Sequence, residues 1–175
     1  KKALEEAGDF DKALAAMRKK GLTKADKRGE KEAREGVIGT YNHDGRIGVL
    51  VEVNCETDFV ARGDIFGALV KDVAMHIAAS NPEYVSSESI PAADHDKMKK
   101  EFTEKTKAEG KPADMVDKIV EGQLKKYFAE RCLLDQPYVK NPDITVGDHV
   151  KQNAALMNEN VVVRRFNRIA LGEVA

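Results

Sequence analysis

The chain has 175 residues, 42% of them hydrophobic, which is enough for one substantial core beside a small appendage. Its 29 Lys and Arg residues are balanced by 30 Asp and Glu residues, so it lacks the basic excess expected of a protein that binds the nucleic-acid backbone. Global disorder and direct nucleic-acid binding are therefore disfavoured.

The sequence contains no apolar run of membrane-spanning length and no signal-peptide pattern, so we expect a cytoplasmic protein without a membrane partner. The chain begins with a lysine inside helical sequence, which leaves an upstream targeting segment and an organellar origin open. Cys55 and Cys132 lie far apart and outside any CxxC or Cys/His cluster. This spacing predicts two free thiols and no metal site.

Residues 1–36 form a distinct, mildly basic region with 11 basic and 8 acidic residues. Residues 1–21 contain two short helical segments that break at Gly8-Asp9 and end in a Lys-Lys-Gly signal, which predicts part of a small helical module. Residues 22–36 are highly charged and have almost no large apolar side chains. We expect this segment to be a linker or an exposed helix.

An apolar period of two begins at residue 37 and indicates β-structure. Two alternating segments flank Asp44-Gly45, and this is the strongest short signal of a β-hairpin. The alternate valines of residues 49–53 fall on one face. The β-branched stretch 160–171 can add a third strand, which completes the minimum for an independently stable sheet.

Helices are predicted between the hairpin and the third strand, over about residues 64–80, 92–109, 112–130 and 145–157. The third helix carries an apolar stripe that should be firmly packed, made of Met115, Val116, Ile119, Val120, Leu124, Tyr127 and Phe128. The preceding helix, over about residues 92–109, has only Met98 and Phe102 as large apolar residues. The two helices therefore form a helical hairpin with one buried and one solvated arm. The predicted fold is α+β: a small antiparallel three-stranded sheet packed with helices, this helical hairpin, and the N-terminal helical module.

Candidate catalytic groups do not form a constellation. The four histidines are scattered without metal spacing or a triad context, and no phosphate-binding glycine motif occurs. We therefore predict no covalent catalysis, no cofactor and no metal. The lysines of residues 97–107 suggest an RNA-facing helix, but residues 93–130 hold nine basic and nine acidic residues without interleaved aromatics. Such mixed charge favours a solvated, ion-paired hairpin.

The stretch "NCETDFVARGD", residues 54–64, places an aromatic in a polar corner between a strand and a helix. Thr57 or Asp64 can cap the following helix, and Phe59 can fold back onto its first turn as a hydrophobic staple. Alternatively, a rigid corner holds Phe59 out beside Asp58 as a wedge that enters a partner's surface and disturbs a cation site. The residue pattern permits both arrangements.

The segment "GVLVEVNCETDFVAR" closely resembles the signature stretch of the elongation factor Ts family, the guanine-nucleotide exchange factors of translation elongation factor Tu. Residues 1–21 resemble the end of that family's ubiquitin-associated-like domain, and "AMHIAASNPEYV" and "NENVVVRRFNRIALGE" resemble later family segments. The resemblance covers nearly the whole chain. It implies an exchange factor that acts on GDP-bound and nucleotide-free elongation factor Tu, with an RNA-binding accessory factor of translation as the alternative.

The resemblance favours the wedge over the staple. In the family an Asp-Phe pair, here Asp58 and Phe59, enters the G domain of elongation factor Tu, where the aromatic disturbs the magnesium site and loosens the GDP phosphates. The neighbouring residues would support the pair: Thr57, Val60, Ala61 and Arg62. A factor that prefers the nucleotide-free partner must, by reciprocity, weaken GDP binding by the same ratio.

Further partner contacts are also implied by the resemblance. Lys1 and Lys2 are candidates for charged contacts with the G domain, the alternative being solvated helix ends. His76 is a candidate for a contact with another domain of the partner, the alternative being a histidine that flanks an apolar stripe.

The resemblance also divides the chain. Residues 1–21 would be a partial ubiquitin-associated-like module, residues 22–36 a charged linker or helix, and residues 37–175 the core domain, with the helical hairpin over about 92–130. The chain has a single core, like the short members of the family, which work as homodimers. We therefore expect a homodimer formed by the core domain.

Overall fold

The computed structural model describes residues 31–173. The module predicted for residues 1–21 and most of the linker predicted for 22–36 lie outside this range. β1 begins at Glu35, so the last residues of that predicted linker belong to the sheet. The main elements are β1 (Glu35–His43), β2 (Ile47–Cys55), α1 (Asp58–Ala61), α2 (Asp64–Ser80), α3 (Ala92–Ala108), α4 (Ala113–Ala129), β3 (Pro137–Tyr138), β4 (Asn141–Thr145), α5 (Val146–Met157) and β5 (Val162–Ala170).

The sheet is antiparallel with the strand order β1-β2-β5, which confirms the predicted three-stranded arrangement. The hairpin turns at Asp44 and Gly45, whose φ angles of 51° and 69° are both positive. This conformation suits an Asp-Gly pair because its twist matches that of the flanking strands. β3 and β4 form a separate two-stranded ribbon.

Helix α2 covers one face of the sheet and builds the main core. The valines at 49, 51 and 53 are buried on that face, as their alternation predicted. They belong to the same core cluster as the apolar stripe of α2, which consists of Phe66, Leu69, Val70, Val73 and Ile77. Burial of each such side chain contributes about 1.5–3 kcal/mol, so this contact fixes α2 on the sheet.

Helix α5 packs against α2 and contributes Val146, Val150 and Ala154 to the main core. Its first turn is held by a capping box in which the Thr145 hydroxyl accepts from the Asp148 N–H at 3.0 Å, and the Asp148 carboxylate accepts from the Thr145 N–H at 3.1 Å. Asn158 ends the helix in the left-handed conformation, with φ 56°. This cap turns the chain back toward the sheet, where β5 begins.

The predicted helical hairpin is present as α3 and α4 and has its own small core. This second cluster contains Val116, Val120, Leu124, Phe128 and Cys132, with Met98 and Phe102 packed against it. Met115, which the sequence placed on the buried stripe, is 48% exposed because it lies in the first turn of α4 near the hairpin tip. Within residues 31–173, no helix is both long and apolar enough to cross a membrane.

Gly39 of β1 lies directly against α2. A Cβ atom at this position would be 2.2 Å from the Val70 Cγ1 atom. We expect Gly39→Ala to lower the free energy of unfolding by roughly 1–3 kcal/mol, because a stiff side chain must move to make room. Urea unfolding measures this loss, and Val70→Ala in the same chain should recover part of it.

Gly48→Ala is the matched control, because a Cβ atom at this strand glycine meets nothing within 4 Å. Equal stabilities for the two alanine variants would contradict the close packing of β1 on α2.

Candidate functional site

The chain turns between β2 and α2 through a short corner, residues 56–63, that contains the single helical turn α1. Two backbone hydrogen bonds close this turn, from the Ala61 N–H to the Thr57 carbonyl and from the Arg62 N–H to the Asp58 carbonyl, both at 3.2 Å. The corner thus has a defined backbone conformation between two elements that are fixed in the core.

Phe59 points away from the protein at this corner. Its side chain is 84% exposed, the largest fraction among the exposed large hydrophobic residues of the described chain. The staple arrangement is therefore absent, because a staple would bury the ring against the start of α2. An aromatic ring held in water on an ordered turn is a feature expected of a binding residue.

Asp58 lies beside this ring and pairs with Arg62 one turn later. The carboxylate Oδ2 and the guanidinium Nη2 are 3.2 Å apart, and the two side chains are 63% and 81% exposed. An ion pair so well solvated contributes little to stability. Its carboxylate stays accessible, and no group of acidic, histidine or cysteine side chains in residues 31–173 could hold a metal ion.

Thr57 begins α1 as its N-cap, with its hydroxyl accepting from the Val60 N–H at 3.3 Å. The prediction that Thr57 or Asp64 caps the long helix was wrong. The extra turn α1 intervenes, and α2 follows Gly63 without a side-chain cap hydrogen bond. The capping signal was correctly placed but applies to the shorter helix.

The apolar residues of the corner attach it to the core. Val60 and Ala61 are partly buried and pack against the main core. Cys55 lies just beneath, where its thiol donates to the Thr57 carbonyl oxygen at 3.2 Å. Burial raises the pKa of the Cys55 thiol, so this group stays protonated and serves as a donor. Both cysteines are buried free thiols, as predicted.

Glu159 is a further residue of the corner that the sequence did not identify. It lies in the turn between α5 and β5, and its carboxylate contacts the backbone and the hydroxyl of Thr57. The contact spans 102 residues, so no local motif signals it. Its only local hint is its position just after a helix-ending asparagine.

His76 lies inside the main core with none of its surface exposed. The Val139 N–H donates to its Nδ1 at 3.2 Å, so that nitrogen carries no proton. The other nitrogen, Nε2, therefore holds the proton and donates to Gln136 Oε1 at 2.9 Å. The Gln136 amide in turn donates to the Glu130 carbonyl oxygen at 2.8 Å. This network fixes a neutral tautomer, and it places His76 away from the surface and from the corner.

Lys1 and Lys2 lie outside the described residues, so the site consists of the corner itself. It combines an exposed aromatic, an accessible carboxylate and an ordered turn. Nothing in this set resembles a nucleophile with a base, and its groups suit recognition of another macromolecule.

Comparisons with known proteins give one family. The sequence model described as "Elongation factor TS" matches residues 22–173. Over 175 residues the chain is 52% identical to elongation factor Ts of Heliobacterium modesticaldum and 50% identical to that of Geobacter sulfurreducens, covering 99% of this chain and 81% of each relative. It is 48% identical over 174 residues to elongation factor Ts of Thermodesulfovibrio yellowstonii, covering 87% of that relative.

Burial lowers the pKa of His76 from its usual value near 6.5, and its hydrogen bond to Gln136 opposes this only in part. Below about pH 6.5 the His76 side chain takes up a proton in the unfolded chain but not in the folded chain. The free energy of unfolding therefore falls as the pH falls through this range. Melting temperatures at pH 7.5 and pH 5 should therefore differ less in His76→Gln than in the wild type.

His43→Gln is the control, because its ring is exposed at the end of β1. This variant leaves the buried network of His76 intact, so its melting temperatures at the two pH values are the reference for the loss of a histidine as such. An unchanged pH dependence in His76→Gln would refute the neutral buried tautomer.

Proposed function

The chain belongs to the elongation factor Ts family, and we propose that it promotes GDP release from elongation factor Tu by inserting Asp58 and Phe59 as a wedge. Family membership makes it a nucleotide exchange factor of translation elongation and not an enzyme of covalent chemistry. The observation that carries the wedge is the 84% exposure of Phe59 on a closed, hydrogen-bonded turn.

The Phe59 ring is exposed to water in the free protein. Burial of this ring in a complex therefore adds hydrophobic free energy to binding that has not already contributed to folding. Complete burial of such a ring contributes about 1.5–3 kcal/mol. In the proposed complex the ring separates helices of the partner's G domain, and the Asp58 carboxylate lies near the magnesium and phosphate site. The negative charge of that carboxylate disfavours the GDP phosphates there.

Exchange follows from a difference in affinity between two states of the partner. The wedge fits the nucleotide-free G domain and is opposed by the closed, GDP-bound one. By linkage, the ratio of these affinities is also the factor by which bound protein weakens GDP. A wedge that bound both states equally would not accelerate release.

The supporting roles are proposed for the residues around the wedge. Thr57 caps α1, Val60 and Ala61 anchor it on the core, and Arg62 holds the Asp58 carboxylate by their ion pair. These contacts keep the wedge in one conformation before binding, which reduces the entropy lost in the complex.

Other contacts are proposed outside the corner. Lys1 and Lys2, in a partial ubiquitin-associated-like module over residues 1–21, would meet acidic groups of the G domain. His76 is buried, so it reaches a partner only through Val139, whose backbone it holds and whose side chain is 45% exposed. Residues 22–36 would link that module to the core domain 37–175.

We also propose that the protein acts in the bacterial cytoplasm, since the relatives that it matches are bacterial translation factors.

We further propose that the core domain forms a homodimer through the outer face of its sheet. Helix α2 covers only one face, and on the other Ile38, Leu50 and Ile169 are 60%, 52% and 71% exposed. Leu50 lies between Gly48 and Glu52 on this face of β2. Gly48 pairs with Ile169 of β5, and Glu52 pairs with Ile38 of β1. These apolar side chains thus form a diagonal across all three strands, which a second copy could cover.

Phe59→Ala tests the wedge. At equal micromolar concentration it should slow release of fluorescent GDP from elongation factor Tu by about 30-fold, the size of a binding hot spot near 2 kcal/mol. Its melting temperature should stay at the wild-type value because the ring makes no core contact. Leu156→Ala is the matched control, since this residue of α5 is 74% exposed, and it should keep both properties.

A Phe59→Ala variant that exchanges GDP at the wild-type rate would contradict the wedge. A wild-type protein that does not accelerate release would contradict exchange activity altogether.

Leu50→Glu tests the dimer. A charge at the centre of the outer face should convert a dimer into a monomer, because the carboxylate cannot be buried without a partner. Sedimentation equilibrium gives the mass, and Leu156→Glu on α5 is the control that should stay dimeric. A monomeric wild type, or a Leu50→Glu variant that remains dimeric, would exclude this face as the interface.

A further inference from the structure

Both carboxylate oxygens of Glu159 accept hydrogen bonds from the start of the corner, residues 56 and 57. Its Oε2 accepts from the backbone N–H groups of Glu56 and Thr57, each at 3.1 Å, and its Oε1 accepts from the Thr57 hydroxyl at 2.6 Å. All three donors come from the two residues that immediately precede α1. Hydrogen bonds to an ionised carboxylate are shorter and about twice as strong as neutral ones.

The contact with Glu159 also determines what the Thr57 hydroxyl can do. A hydroxyl has one proton and two lone pairs, and here the proton is directed at the Glu159 carboxylate. A lone pair is therefore available to the Val60 N–H, which is the N-cap hydrogen bond of α1. The cap and the carboxylate are thus coupled through a single oxygen atom.

The turn that carries Glu159 is itself fastened to the corner. Glu56 Oε1 accepts from the Asn160 N–H at 2.7 Å, so each segment supplies a glutamate to the backbone of the other. The Asn160 side chain also donates to the Lys31 carbonyl oxygen at 2.6 Å. Glu159 thus acts from a turn that is fixed in position.

Helix α1 depends on such external support. It has four residues, and isolated helices this short are not stable in water. Only Val60 and Ala61 pack the turn against the main core. Phe59 is exposed and does not belong to that core. The direction in which Asp58 and Phe59 project is therefore set largely by the contacts at Thr57.

We propose that Glu159 is a positioning residue for nucleotide exchange, which holds Thr57 and thereby keeps the α1 turn in the conformation that inserts Asp58 and Phe59. This inference rests on the proposed function of the wedge. Without Glu159 the turn frays, and only a fraction of the molecules present the wedge correctly. The apparent affinity for the partner's open state then falls in proportion to that fraction.

Glu159→Ala removes all three hydrogen bonds to the corner and should slow GDP release by about tenfold, because only about a tenth of the molecules then present the wedge correctly. The decisive measurement is made in an Asp58→Ala/Phe59→Ala chain, where adding Glu159→Ala should change the exchange rate by less than about twofold, because the whole wedge that Glu159 positions is already absent. A residue with a merely structural role would lower the rate by the same factor in both chains.

Asp148→Ala is the matched control. The Asp148 carboxylate holds a threonine in the same way, accepting from the N–H and the hydroxyl of Thr145, but it acts on α5 and not on the corner. It should lower the melting temperature while leaving the exchange rate of the folded protein unchanged.

Thr57→Val gives the answer should Glu159→Ala fail to fold, because it removes only the hydroxyl that links Glu159 to α1. It should slow exchange, whereas Thr57→Ser keeps the hydroxyl and should exchange like the wild type. Glu159→Ala at the wild-type rate, equal losses with and without the two wedge residues, or Thr57→Val at the wild-type rate would each overturn the positioning role. A wild type without exchange activity would instead overturn the proposed function, and the inference with it.

Discussion

The packing of α2 on the valine face of the sheet is the contact on which the other features depend. Val51 and Val53 of β2 and Phe66 of α2 are almost completely buried in one cluster, so the strand and the helix cannot shift relative to each other. The corner connects these two fixed ends, and its few residues have little freedom. A flexible loop at the same place would lose conformational entropy on binding that this corner has already lost on folding.

The core and the corner have opposite relations to stability. Apolar side chains of the core stabilise the folded chain and face inward, whereas Phe59 leaves its ring in water and stabilises nothing in the free protein. The groups that hold the start of the corner are polar: a hydroxyl cap, a carboxylate from a turn that is distant in sequence, and a thiol donor. An exposed aromatic can be kept at a fixed place in this way without enlarging the core, and its apolar surface remains available to a partner.

Much of the fold could be predicted because its signals are local. The Asp44-Gly45 turn and the helical periods identify the hairpin and the long helices, since each depends on neighbouring residues. The direction of Phe59 could not be derived from the residue pattern alone, because staple and wedge differ only by the short turn α1. The resemblance pointed to the wedge, and the structure shows the ring exposed. Glu159 and the buried network of His76 depend on contacts between distant segments, with separations of 102 residues for Thr57–Glu159 and 60 for His76–Gln136, which no sequence pattern reveals.

The helical hairpin has a core of its own, and this affects how the molecule opens. Its cluster around Leu124 and Phe128 is separate from the main core, and the link between them includes backbone hydrogen bonds that join Tyr84 to Arg131 and Leu133. Two cores of unequal size give two cooperative units. Amide protons of α4 should therefore exchange with solvent through opening of the hairpin alone, while those of β2 and α2 exchange only when the whole domain unfolds. The hairpin can therefore open and close while the conformation of the corner is preserved.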